Sequence, residues 1–229
     1  MPASAPNLAD LLRRLPAPSP ALRREQGLNA LANLATLAMA SWQHWSLGAL
    51  IWPYWMQSVA IGAFNAHRMS RLQHFSTEGL KMGDAPVQAD AKGKGCAIAF
   101  FCMHYGFFHV IYLVFLSAMA RPTTAEWRWI GYSGALFVLT QLLNHRAQLA
   151  EDARGTPNLG SLMFLPYLRI LPIHLTIIFG LPFKDSRSAL WLFGILKSIA
   201  DHFGIRAEDA VRRNAQCGSV ATAGDPPTK

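Results

Sequence analysis

Apolar runs broken by Gly, Pro and charged residues set the pattern of this chain, and their periods and lengths predict helices. The runs cover roughly Gly27 to Trp42, Leu47 to Met69, Cys96 to Met119, Trp127 to Leu143, Leu162 to Leu181 and Arg187 to Phe203. A helix needs about 20 predominantly apolar residues to cross a bilayer, and most of these runs approach that length. The fold expected is therefore all-α: a polytopic transmembrane helical bundle of about six spans. Residues 1–26 read as a cytoplasmic N-terminal tail with a short patch at Leu11, Leu12 and Leu15. Residues 27–203 read as the membrane domain and 204–229 as a polar, disordered C-terminal tail.

Composition sharpens this picture. Of the 229 residues 52% are hydrophobic and only 15% charged, against about 25% charged in ordinary soluble domains. The net charge of +8 does not point to nucleic acid, because no basic module interleaved with aromatics is present. The bases instead lie in the tails and connections. If the N-terminus is inside, only Arg121, Arg128, Lys184 and Arg187 fall on the outer side. The other bases, Lys197 excepted, fall inside, which predicts both termini in the cytoplasm. The bilayer is the expected partner. The tail before Gly27 lacks a signal-peptide core and is expected to be retained. Cys96, Cys102 and Cys217 lack paired metal-ligand spacing, and the first two read as small buried hydrophobes.

Polar residues inside the apolar runs mark the candidate chemistry, since an ionisable group in hydrocarbon is expensive unless it faces a partner or a cavity. Gln57, His104, His174 and Lys197 each lie about ten residues into their runs, at about 1.5 Å per residue, so one height near the midplane is expected for all four. His104 and His174 would bind a transition metal or haem, with His109 and Gln57 as weaker ligands. His109 stands about 140° around the helix from His104. Lys197 and Asp201, four apart, share a helix face. With Arg169 and Asn65 they form a candidate polar cavity for transport or proton movement. Against these stand plainer readings. Each histidine serves equally as a hydrogen-bond donor to a neighbouring helix, Lys197–Asp201 as a structural pair, and the whole chain as an assembly partner without a ligand.

Several segments resemble a bacterial family of unknown function, DUF6498. They are Tyr54 through Asn65 with Arg68-Met69, His104-Tyr105-Gly106, Arg169 through Gly180, and Leu196-Lys197 with Asp201. The resemblance implies a multi-pass protein of the bacterial cytoplasmic membrane and carries no activity with it. Such proteins often have Glu where Gln57 stands, and a second His where this chain has Tyr112, so the departures leave poorer metal ligands here. Gly131-Tyr132-Ser133-Gly134 resembles the Gly-x-Ser-Gly motif of rhomboid intramembrane proteases, which implies Ser133 as nucleophile and His174 as base.

Overall fold

The computed structural model describes residues 20–179, 183 and 186–223, with side chains placed except at 20, 21, 119 and 211–223. Leu11, Leu12 and Leu15 of the expected tail, and Lys184, lie outside the described residues, and so does the side chain of Cys217. Among the described residues the chain is all-helical apart from one small hairpin. The elements are α1 (Pro20–Trp42), α2 (Leu47–Arg71), β1 (Lys81–Met82), β2 (Ala85–Pro86), α3 (Ala91–Met119), α4 (Thr124–Asp152), α5 (Leu159–Phe179) and α6 (Arg187–Ala223).

Local chemistry explains where the helices begin. The Ser46 hydroxyl accepts from the Ala49 amide at 3.1 Å, opening α2. The Asp90 carboxylate accepts from the Gly93 amide at 2.6 Å, opening α3. Thr123 and Glu126 form a reciprocal capping box at the start of α4. Each cap satisfies an amide that the first turn leaves without a partner. Several helices outrun the apolar runs that predict them: α1 starts at Pro20, α3 at Ala91, and α4 and α6 continue to Asp152 and Ala223. The polar residues in these extensions do not break the helix, because many face other helices inside the bundle.

The central helix is α2, which packs on α3, α4, α5 and α6, while α1 closes the bundle against α4 and α6. Prolines shape this packing. Pro166 has no amide hydrogen, so the Leu162 carbonyl one turn earlier loses its helical donor. Asn65 of α2 supplies the replacement, donating through Nδ2 at 2.8 Å. The polar connection between α2 and α3 folds into the β1–β2 hairpin, with Gly83 in the left-handed region at its turn. It is fastened to the α4–α5 connection by bonds from Ser76 N to Pro157 O (3.1 Å) and from Leu159 N to Ser76 O (2.8 Å).

Close approach of α2 and α3 depends on Gly62. A Cβ there would stand 2.8 Å from Tyr105 Cδ1, and the Tyr105 hydroxyl donates to the Ser58 carbonyl at 2.8 Å. Gly62→Val is expected to lower stability by about 1–3 kcal/mol through overpacking. Gly106→Ala, where a Cβ meets nothing within 4 Å, should be neutral or slightly stabilising. Thermal unfolding of the two purified variants compares them directly.

The distribution of polarity is inverted relative to a water-soluble bundle. Lys197, Asp201, Arg169, Arg68, Asn29, Asn33 and Gln57 are buried. Met103, Phe107, Val110 and Val114 of α3 are exposed, as are Phe164, Leu171 and Ile178 of α5 and Leu192, Ile195 and Phe203 of α6. Two helical stretches, Ala91–Ala118 and Leu159–Phe179, are long and apolar enough to cross a membrane. The other helices carry more polar residues, many of them on buried faces, which lowers their mean hydropathy. Cys96 and Cys102 are exposed rather than buried.

Candidate functional site

Asp201 on α6 is the common acceptor of the buried polar core. With Lys197 one turn earlier it has no solvent exposure at all. Its Oδ1 accepts from Lys197 Nζ and from Arg169 Nε of α5, the latter at 3.3 Å. Its Oδ2 accepts from Asn33 Nδ2 (3.2 Å) and Asn29 Nδ2 (3.3 Å) of α1 and from Gln57 Nε2 (3.2 Å) of α2. Four helices thus converge on a single carboxylate. Gly204 makes room for Arg169, since a Cβ there would lie 2.6 Å from Arg169 Cγ.

The formal charge of this cluster is that of two cations and one carboxylate, a net excess of one positive charge. The amides are fixed in orientation, because only their NH2 groups can face Asp201. Their oxygens turn elsewhere: Asn29 Oδ1 accepts from Gln57 and Arg169, while Asn33 Oδ1 and Gln57 Oε1 are buried without a partner among the described residues. The Tyr54 hydroxyl shares that condition. Lys197 Nζ lies 5.4 Å from the centre of the Tyr54 ring, within cation–π range. On its other contacts Tyr54 meets Phe137 (5.3 Å) and Phe193 (5.4 Å), which close the cluster with an aromatic layer.

A second ionic cluster lies further along α2 and α6. Arg68 donates to both oxygens of Asp152, Nε to Oδ2 at 2.8 Å and Nη2 to Oδ1 at 3.0 Å, and also pairs with Glu208. This bidentate geometry is the strong form of an ion pair, and all three groups are buried. A cavity of about 20 Å³, bounded by Arg169, Asn65, Arg68 and Glu208, separates the two clusters. That is room for about one water. Beyond Arg68 a larger cavity of about 350 Å³ opens at the end of the bundle. There His145 bonds His67 at 2.7 Å between ring nitrogens. Burial, and then the neighbouring His67 and Arg68, hold the His145 imidazole below its ordinary pKa.

Of the residues singled out from sequence, Gln57, Lys197, Asp201 and Arg169 come together here. Asn65 lines the small cavity but is committed to the Leu162 carbonyl. The histidines lie elsewhere. His104 is exposed and bonds the Tyr167 hydroxyl at 2.7 Å through Nδ1. His174 bonds the Tyr112 hydroxyl at 2.7 Å, and the Phe108 ring contacts both imidazoles. His109 donates from Nδ1 to the Tyr105 carbonyl at 2.8 Å, and its Nε2 is buried without a partner. Among the described residues no three His, Cys, Asp or Glu side chains gather as a metal site would require. Ser133 is buried with its hydroxyl 3.9 Å from Met39 Sδ on α1, so it and His174 each have a different partner.

The sequence reading passed over the polar stripe of α1. Glu25, Asn29, Asn33 and Thr36 recur at intervals of four, four and three, which places them on one helical face. All four are buried. Arg68, Asp152 and Glu208 were also missed as partners, because nothing local links residues so far apart in sequence.

A buried ionic core inside an apolar-faced helical bundle defines the class of this protein. The chain belongs to a family described as "Family of unknown function (DUF6498)", whose profile matches residues 16–218. No curated protein and no solved structure matches it.

Proposed function

We propose that the protein is a six-span membrane protein of the bacterial inner membrane, with both termini cytoplasmic, and that its buried ionic core moves protons. The carrying observation is Lys197–Asp201, wholly buried, with a small polar-lined cavity leading from Arg169 toward the Arg68 end of the bundle. The exposed apolar residues of α3, α5 and α6 support lipid contact, since soluble proteins rarely expose continuous apolar patches of such extent. The positions of Lys and Arg support the orientation, which puts the Arg68 cavity at the cytoplasmic face.

In this reading Lys197 carries the transferable proton. Arg169 keeps its charge throughout, so Asp201 retains an ionic partner whether Lys197 is charged or neutral. The cluster then alternates between one excess positive charge and none. The small cavity between Arg169 and Glu208 supplies a water position for a proton arriving from the Arg68 end. The layer of Tyr54, Phe137 and Phe193 is the closed side, and passage requires it to open.

Protein reconstituted into vesicles containing a pH-sensitive dye should dissipate an imposed pH gradient faster than empty vesicles. Lys197→Met should abolish the excess rate while leaving the protein folded. Wild-type vesicles no faster than empty ones would remove the proposal. A structural clamp is the second reading, favoured by the complete pairing of Arg68, Asp152 and Glu208; it predicts stability effects without flux.

A further inference from the structure

The cavity beyond Arg68 is lined by His67, Arg68, Arg71, Gln73, His74 and Asp152, among others, and its volume of about 350 Å³ falls in the range of small-ligand sites. Its wall carries several side-chain donors. Each oxygen of the Asp152 carboxylate accepts one bond from Arg68. Arg71 can only donate, so its 3.3 Å bond from Nε fixes His67 Nε2 as an acceptor. The His67 proton must then sit on Nδ1 and be donated to His145 Nε2. The His145 proton is consequently on Nδ1, a buried atom with no partner among the described residues. The chain of donors Arg71, His67 and His145 therefore ends on a His145 N–H without a partner among the described residues.

Charge runs the same way. Lys94, outside the lining, donates to the carbonyl of the lining residue Leu72 at 2.7 Å. Arg71 and His74 are exposed and add a cation and an imidazole to the wall, and Gln73 adds an amide. Asp152 is the carboxylate in that lining and is paired with Arg68, which also pairs with Glu208 outside the lining, so the positive charge offered to a ligand is that of Arg71. A concave, donor-rich site of this size and sign complements a group with several acceptor oxygens and negative charge.

We propose that this cavity binds a phosphate group, either the headgroup phosphate of an anionic lipid or a free phosphate anion. Arg71 makes the principal contact, with His74 and Gln73 as further donors. A basic pocket at the end of a helical bundle is the setting in which anionic headgroups are bound.

The test uses the full-length protein. In detergent, inorganic phosphate is titrated against thermal unfolding, with chloride at equal ionic strength as control. In parallel, nanodiscs of phosphatidylcholine with and without phosphatidylglycerol are compared by native mass spectrometry for retained lipid. Arg71→Gln removes a charged contact and should weaken whichever ligand binds by about tenfold or more. His74→Gln provides a second exposed variant should the first aggregate. Stabilisation by phosphate that is lost in the variant identifies a free-anion site. Selective retention of phosphatidylglycerol that is lost in the variant identifies a headgroup site. Absence of both effects, or binding unchanged by the variants, overturns the proposal.

Discussion

Asp201→Ala is expected to destabilise the protein by about 3–5 kcal/mol, the cost of leaving buried charges without their partner. The carboxylate is the common acceptor for Lys197, Arg169, Asn29, Asn33 and Gln57. Its removal strands two buried cations and three amides together. Lys197→Met should cost much less, because Arg169 still neutralises Asp201 and the methionine replaces the lysine stem with apolar volume. Thermal unfolding of the two variants in one detergent measures the difference. Equal melting temperatures for Asp201→Ala and wild type would show that the cluster does not hold the four helices together.

Arg68→Ala should have a comparable effect by the opposite route. It takes from the buried Asp152 the cation that binds both its oxygens, and removes the same cation from Glu208, at about 3–5 kcal/mol. Arg68→Lys should rescue little of this, since an ammonium cannot reproduce the two parallel bonds from Nε and Nη2 to Asp152. Combining Arg68→Ala with Asp152→Asn and Glu208→Gln should recover part of the loss. The recovery is read from denaturation midpoints, and its absence would mean that the guanidinium acts by packing alone.

Both effects rest on pairings only partly legible in the sequence. Lys197 and Asp201 could be paired in advance because spacing of four on a helix fixes a shared face. Arg169 and Gln57 could be suspected because polar groups in apolar runs need company. Their meeting point could not be read, because height along a helix says nothing about direction around it. The histidines show the consequence. His104 and His174 have similar expected heights, yet His104 lies on the exposed face of α3 among Phe100, Met103 and Phe107, while His174 turns to Tyr112. The α1 stripe was obscured for a different reason. Its first member, Glu25, sits beside Arg23 and Arg24, where charge density resembles a tail rather than a helix face.

The Pro166–Asn65 relation shows how one local rule reaches across the fold. The missing amide of a proline on α5 creates an acceptor, and an asparagine on α2 answers it. Asn65 therefore has a packing reason to exist that is independent of any transported species. Gly204 has the converse relation to the ionic core, since the absence of its side chain is what admits Arg169. Both positions are parts of the architecture that holds the site.

The central claim is that this bundle presents its apolar faces to lipid while enclosing its charges, and a nitroxide scan of α6 in bilayers tests it most directly. With the native Cys96, Cys102 and Cys217 replaced by alanine, Leu192→Cys, Ile195→Cys, Ile199→Cys and Phe203→Cys each place one spin label at an exposed position. The account predicts high collision rates with oxygen and low rates with a water-soluble nickel chelate at the three upper positions, Leu192, Ile195 and Ile199. Nickel accessibility equal to that of a freely hydrated label at those positions would contradict it.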